Sequence, residues 1–289
     1  MSENEFNSRK KIIPESSHIG TNVSINCEHF EIGENCFIGN NVTINCRKFI
    51  SGSYLYMTDG VEVGRGGCFG PRSNVIIGNN VGIFERAILN PSESINIGDN
   101  SGIGGEVMIW THGAWLDVLN GFPSSFGPVK IGKNVWLPAR TIVLPNSEIG
   151  DNCVISVNSV VNRIIPPGSL AGGNPVEVIK EGIYPKKLEK EQKREILKQI
   201  VLDWVDLLKH KEHNEYEIDI REDLKLSLED FKVGSAIFNI EKRPYSIDGE
   251  MGDLAEDLRD YLRRRGVKIY TGGEFKSILP SYMDNQNSS

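Results

Sequence analysis

No apolar run of about 18 residues occurs in this 289-residue chain, so no segment reads as a membrane-spanning helix. Met1 to Pro14 is polar and charged and lacks the apolar core of a secretory signal. Cysteine is sparse: Cys27, Cys36, Cys46, Cys68 and Cys153 are an odd number without a C-x-x-C pair. That argues against a disulfide framework or a zinc site. It points to buried free thiols in a reducing compartment, the cytoplasm. Basic charge is in deficit, with 32 Lys and Arg against 39 Asp and Glu and a net charge of -7. A nucleic-acid partner or an anionic membrane surface, which need a basic face, is therefore not expected, although a local patch could still hold phosphates. Only five histidines are present to serve acid–base chemistry: His18, His29, His112, His210 and His213.

Glycine is abundant, at 30 residues, and its placement follows a period. Aliphatic residues recur six apart at Ile131, Leu137, Val143, Ile149, Ile155 and Val161. The same step links Ile77, Ile83, Leu89 and Ile95, then Ile97, Ile103 and Ile109, and also Ile32, Ile38, Ile44 and Ile50. With an aromatic admitted, it also links Val63, Phe69 and Val75. Glycine often follows the aliphatic, with asparagine two residues later, as in Gly33 with Asn35 and Gly132 with Asn134. A period of six fits neither a helix nor a simple alternating strand. It fits a coil in which each hexapeptide is a short strand and a corner, the aliphatic pointing inward and Gly or Asn taking the corner conformation. Three such faces close a triangular turn, so the fold expected is mostly β: a left-handed parallel β-helix, with a small C-terminal α+β appendage.

The step breaks between Ile109 and Ile131, leaving an insertion that holds Thr111, His112, Trp115 and the stretch from Gly121 to Gly127. Loops thrown out of a rigid scaffold are where function concentrates. After Pro166 the period stops. Ile196, Ile200, Trp204 and Leu208 predict an amphipathic helix, and Phe231 to Ser246 reads as strand. Gly252 to Arg265 predicts a second helix with Leu254, Leu258 and Leu262 on one face, and Val267 to Tyr270 a last strand. The division expected is a β-helix over 12–180, an amphipathic connecting helix over 181–212 and an α+β domain over 213–280.

The run V-W-L-P-A-R-T-I-V-L-P-N-S-E-I-G-D-N from Val135, and the ending A-G-G-N-P before Val176, closely resemble the hexapeptide-repeat acetyltransferases. The branch is that of the maltose, galactoside and surface-polysaccharide O-acetyltransferases, and the likeness covers roughly residues 12 to 180. The resemblance implies a homotrimer with active sites between neighbouring prisms. It implies acetyl-coenzyme A as cosubstrate along the groove, no metal, and a sugar or polysaccharide precursor as acceptor. It makes His112, in I-W-T-H-G, the catalytic base, and Asn90, in I-L-N-P, the asparagine one coil earlier that orients the acceptor or the histidine. The family commonly has glycine where this chain has Pro138 and Arg140, a departure at the local cofactor contacts.

The chemistry leads to the same histidine. Acetylating a hydroxyl from a thioester needs a base that titrates near neutrality, and only His112 stands where the repeat opens into a loop. Arg163 and Lys180 are candidates for the cofactor phosphates, each with solvated surface charge as the plain alternative. A backbone N–H near Ala139 or Arg140 is the candidate for the oxyanion. Trp136 would pack on the pantetheine arm or fill a trimer interface. Trp110 and Trp115 would stack on a sugar or simply pack. Glu106 and Asp117 are the carboxylates expected to orient the imidazole. Competing readings are N-acetylation of a free or nucleotide-linked amino sugar and a non-catalytic β-helix scaffold.

Overall fold

In a computed structural model, described for residues 4–65, 68–211, 231–241 and 243–280, the chain divides into two compact units, 1–186 and 187–289. The first is a parallel β-helix with three faces. One face stacks the strands Glu62–Val63, Ile88–Asn90, Met108–Trp110, Ile142–Val143 and Val160–Val161. A second stacks Asn74–Ile77, Ile95–Ile97, Val129–Ile131, Glu148–Ile149 and Ile164–Ile165. The third runs from His18–Ile19 through Gly102–Ile103 and Trp136–Leu137 to Leu170–Gly172. The strands Glu5–Ile12, Ser24–Glu31 and Thr43–Ser51 are longer because each continues from the first face around the edge into the second.

The six-residue aliphatics fill the prism. Ile83, Leu89, Ile95, Ile103, Ile109, Leu137, Val143, Ile155 and Val161 are all fully buried in one continuous core. Two expected steps fail. Ile50 is half-buried and Phe49 points inward in its place, because the long strand turns the edge without a corner residue. Phe69 is 66% exposed, because the chain leaves the prism between Gly64 and Ser73.

Corner chemistry divides between two residue types. Asn35, Asn80, Asn134 and Asn152 all have positive φ, between 54° and 61°, the left-handed region that asparagine tolerates. The preceding glycine instead permits close approach of the next coil. A Cβ on Gly132 would lie 2.4 Å from Asp151 Oδ1 and 2.7 Å from its amide nitrogen. All five cysteines are buried free thiols.

In the second unit α1 (Lys190–His210) opens with a reciprocal capping box between Glu189 and Gln192. It buries Leu197, Ile200, Val201, Trp204, Val205 and Leu208, while Ile196 is half-exposed. The helix expected as a connector thus shares a hydrophobic cluster with the rest of its unit. That cluster also takes residues from an antiparallel sheet (Phe231–Val233, Ala236–Asn239, Ser246–Asp248) and from α2 (Asp253–Arg264). Val267 to Tyr270 is not a strand. Ile269 is buried by packing, and its carbonyl accepts from Arg259 Nη1 at 3.3 Å, so no ladder is needed to satisfy it. His213 lies outside the described residues.

Candidate active site

Two loops leave the prism from one edge, the edge between the first and second faces. Register measures both. Met108 pairs with Ile142, 34 residues on, whereas Ile142 pairs with Val160, 18 residues on, so the loop after Trp110 is a surplus of 16. Ile44 pairs with Val63 at a spacing of 19 and Val63 with Leu89 at 26, a surplus of seven spent between Gly64 and Ser73. The first loop was legible from the broken period; the second was hidden by Phe69, which falls in phase by accident.

His112 opens the larger loop. It pairs with Phe126 in a short antiparallel stem, and the two rings stack with centroids 5.6 Å apart. Trp110 meets the imidazole edge-on at 6.3 Å. Ser92, one coil earlier on the same edge, sits with Oγ 2.9 Å from His112 Nδ1. The orienting group is therefore a hydroxyl, and neither expected carboxylate supplies it. Glu106 lies on the edge between the third and first faces, clamped by Arg86 at 2.6 Å and Arg140 at 2.7 Å. Asp117 caps the 3-10 turn Val118–Asn120 through the amide of Leu119. A serine twenty residues before the histidine carries no pattern in the sequence; only the coil register brings Ser92 beside it.

Asn90 is fully buried. It accepts from Cys68 Sγ at 3.1 Å, and its Nδ2 donates to the carbonyl of Arg65 at 3.3 Å, so the small loop grips it. Thr111 is buried too: its Oγ1 donates to the Asn90 carbonyl (2.7 Å) and accepts from the Glu93 amide (3.0 Å). Arg72 closes the other end of the small loop by a forked ion pair with Glu93, at 2.5 and 2.7 Å, which holds the Glu93 carboxyl below the usual carboxylate range. The loop base, the intervening coil and the base of the large loop are thus one network.

Gly64 starts the small loop at φ +85°, and a Cβ there would lie 1.9 Å from the Asn45 carbonyl oxygen. Gly64→Ala is therefore expected to cost more than the roughly 1–2 kcal/mol of a left-handed residue and to loosen the grip on Asn90. A thermal melt of the variant beside the wild type checks this; an unchanged melting temperature would refute it.

The remaining candidates are spread around the prism. Arg163 is exposed on the edge of His112, two coils on by register. Trp136 lies on the outside of the third face, 42% exposed, its ring over Gly102 and edge-on to Phe84. Ala139 and Arg140 lie on the Glu106 edge, and the Arg140 amide donates to Gly105 at 3.0 Å within the coil ladder. Lys180 ends a strand antiparallel to Leu170–Gly172, on the third face. Trp115 is 95% exposed at the loop tip, with Leu116, Leu119 and Phe122 also exposed. Among the described residues no three His, Cys, Asp or Glu side chains converge to hold a metal, and no helix is long and apolar enough to cross a membrane.

Residues 128–163 match the bacterial transferase hexapeptide family (six repeats). A Saccharomyces cerevisiae protein provisionally named an acetyltransferase is 38% identical over 112 residues, covering 38% of this chain and 57% of its own. The galactoside O-acetyltransferase of Escherichia coli K12 is 36% identical over 112 residues, covering 38% of this chain and 55% of its own. The chain thus spans just over half the length of these relatives. Among solved structures, a galactoside acetyltransferase in complex with coenzyme A shares 25% identity with a TM-score of 0.34, over 56% of this chain and 74% of that one.

Proposed function

We propose that this chain, whose residues 128–163 match the bacterial transferase hexapeptide family, is an O-acetyltransferase that moves an acetyl group from acetyl-coenzyme A to a hydroxyl of a sugar or polysaccharide precursor. The observation that carries the reading is His112: half-buried, held at Nδ1 by Ser92, stacked on Phe126, and standing where the largest loop leaves the coil. With Nδ1 engaged, Nε2 is the nitrogen left to take the acceptor hydroxyl proton and pass it to the leaving thiolate, without an acyl-enzyme. Asn90, fixed by Cys68 and the Arg65 carbonyl, positions the neighbouring coil.

A site shared between prisms of a homotrimer accounts for two features. The large loop exposes Trp115, Leu116, Leu119 and Phe122 together, an apolar set that a second copy would cover. Trp136, Ala139, Arg140 and Lys180 are not on the edge of His112, and a neighbouring prism would present its own copies to that edge. Acetyl-coenzyme A would then lie between Arg163 of one prism and Trp136 of the next. The buried free thiols support a cytoplasmic setting. N-acetylation of an amino sugar is the second reading, since an amine can use the same base.

Free-thiol release from acetyl-coenzyme A against matched hydroxyl and amino sugars tests the proposal. Release with hydroxyl acceptors supports it, release with amino sugars alone replaces it by N-acetylation, and inertness toward all of them returns the scaffold. On an accepted sugar, Ser92→Ala is expected to lower kcat about tenfold with KM little changed, the effect of one lost orienting hydrogen bond. Equal turnover would show that Ser92 does not position the base.

A further inference from the structure

The geometry points to a second acceptor subsite around Arg47, on the edge that carries His112, built for a sugar residue bearing a carboxylate; resting on the transferase reading, it makes the acceptor an extended acidic glycan. Register places the two sites in line. Phe6, Ile25 and Ile44 are partners in successive coils, Ile44 continues through Val63 to Leu89, and Leu89 pairs with Ile109. Three residues beyond these inward positions stand Arg9, Glu28, Arg47, Ser92 and His112. The ladder skips Arg9, Glu28 and Arg47 because the long strands bend there, so the edge is where they leave the sheet. Arg47 and His112 are separated by three interstrand steps, about 14 Å, the reach of a short oligosaccharide.

A cavity of about 310 Å³ opens at this place, with Asn7, Arg9, Asn26, Glu28, Arg47 and Phe69 among its lining residues. That volume is at the lower end of small-molecule sites and suits one sugar ring. Arg47 is incompletely satisfied. Its Nη2 donates to Asn74 Oδ1 at 2.6 Å and Nη1 lies 3.7 Å from Glu28 Oε2, but Nε is buried without a hydrogen-bond partner. An orphaned donor on a cation is costly, and the guanidinium that carries it lines the cavity, where a carboxylate would pair with its charge. Arg9 has no ion-pair partner among the described residues, so the cavity carries two cations against the one carboxylate of Glu28. Asn7 offers an amide for hydroxyls, Asn26, whose Nδ2 is spent on Asn45 and Ser24, offers its Oδ1, and Phe69, 66% exposed, offers an apolar ring. Charge, amides and one ring are the requirements of an acidic pyranose. An Arg–Glu–Arg ladder that merely ties the coils would need neither Phe69 nor a cavity.

The test is calorimetric titration of the full chain, without acetyl-coenzyme A, using tetragalacturonate against maltotetraose. Tetragalacturonate is expected to bind about tenfold or more tightly than maltotetraose, and Arg47→Gln and Phe69→Ala each to weaken it by a similar factor. Arg9→Ala and Phe69→Ala alter exposed side chains, so they remain informative if Arg47→Gln does not fold. Equal binding of the two tetrasaccharides, or variants that lower the melting temperature and leave binding untouched, would overturn the subsite. Acetyl transfer to neutral sugars without carboxylate-selective binding sinks the subsite and leaves the transferase. Selective binding in a chain that transfers no acetyl group to any acceptor removes the transferase, and with it the role as an acceptor subsite.

Discussion

His112→Ala is expected to lower kcat for acetyl transfer by about 10² to 10⁴, the contribution typical of a positioned general base. On the proposed function the loss belongs to the chemical step, for which the imidazole is already positioned: Ser92 meets Nδ1, Phe126 stacks on the ring and the antiparallel stem holds the backbone. Coenzyme A affinity, read by titration, should be nearly unchanged, since no cofactor contact is assigned to this side chain. The fold should survive as well, because His112 is only half-buried and the core beneath it is Ile109, fully buried in the prism. His112→Gln keeps a polar group that can still meet Ser92 but cannot carry the proton, so it should be about as inactive as alanine. Wild-type turnover in either variant would refute His112 as the base. Lost coenzyme A binding would move its role from catalysis to cofactor contact.

The largest effect on stability is expected from Asp257→Ala, at about 3–5 kcal/mol within the second unit. Asp257 is fully buried on α2 and accepts from Trp204 Nε1, Lys211 Nζ and the Ile278 amide, each at 2.7 Å. Removing it strands the ammonium of Lys211, whose side chain is 7% exposed, and orphans an indole and an amide donor at once. Lys211→Met with Asp257→Leu would remove both charges together and should cost much less, which separates an abandoned charge from lost packing. Denaturant unfolding followed by tryptophan fluorescence measures this, because Trp204 is the one tryptophan of residues 187–289 and bonds the same carboxylate. A loss below about 1 kcal/mol for Asp257→Ala would show that water reaches Lys211 and that the pair does not organise the unit.

The prism was legible because its information is local and repeated. A buried aliphatic every sixth residue, with asparagine at the turn, states the same constraint in coil after coil, and one reading error does not spoil the sum. Where the pattern is interrupted by a residue of the right kind, legibility fails: Phe69 kept the phase and hid the small loop, although Gly64 and the glycines beyond it marked a departure. His112 stood out as a candidate from its place at a break. Ser92 did not, since a serine beside a proline says nothing until the register lays its coil against that of His112.

The sequence alone determined the β-helix, its large loop and the histidine at the loop's start, because hydrophobic period and loop length are written along the chain. Only the tertiary structure decided which edge each residue occupies. It took Glu106 from the histidine and paired it with Arg86 and Arg140, set Ser92 in its place, and aligned Arg9, Glu28 and Arg47 with His112. The physical reason is that each looped-out insertion changes the sequence spacing between neighbouring coils, so neighbours across coils are fixed by hydrogen-bond register and not by distance along the chain.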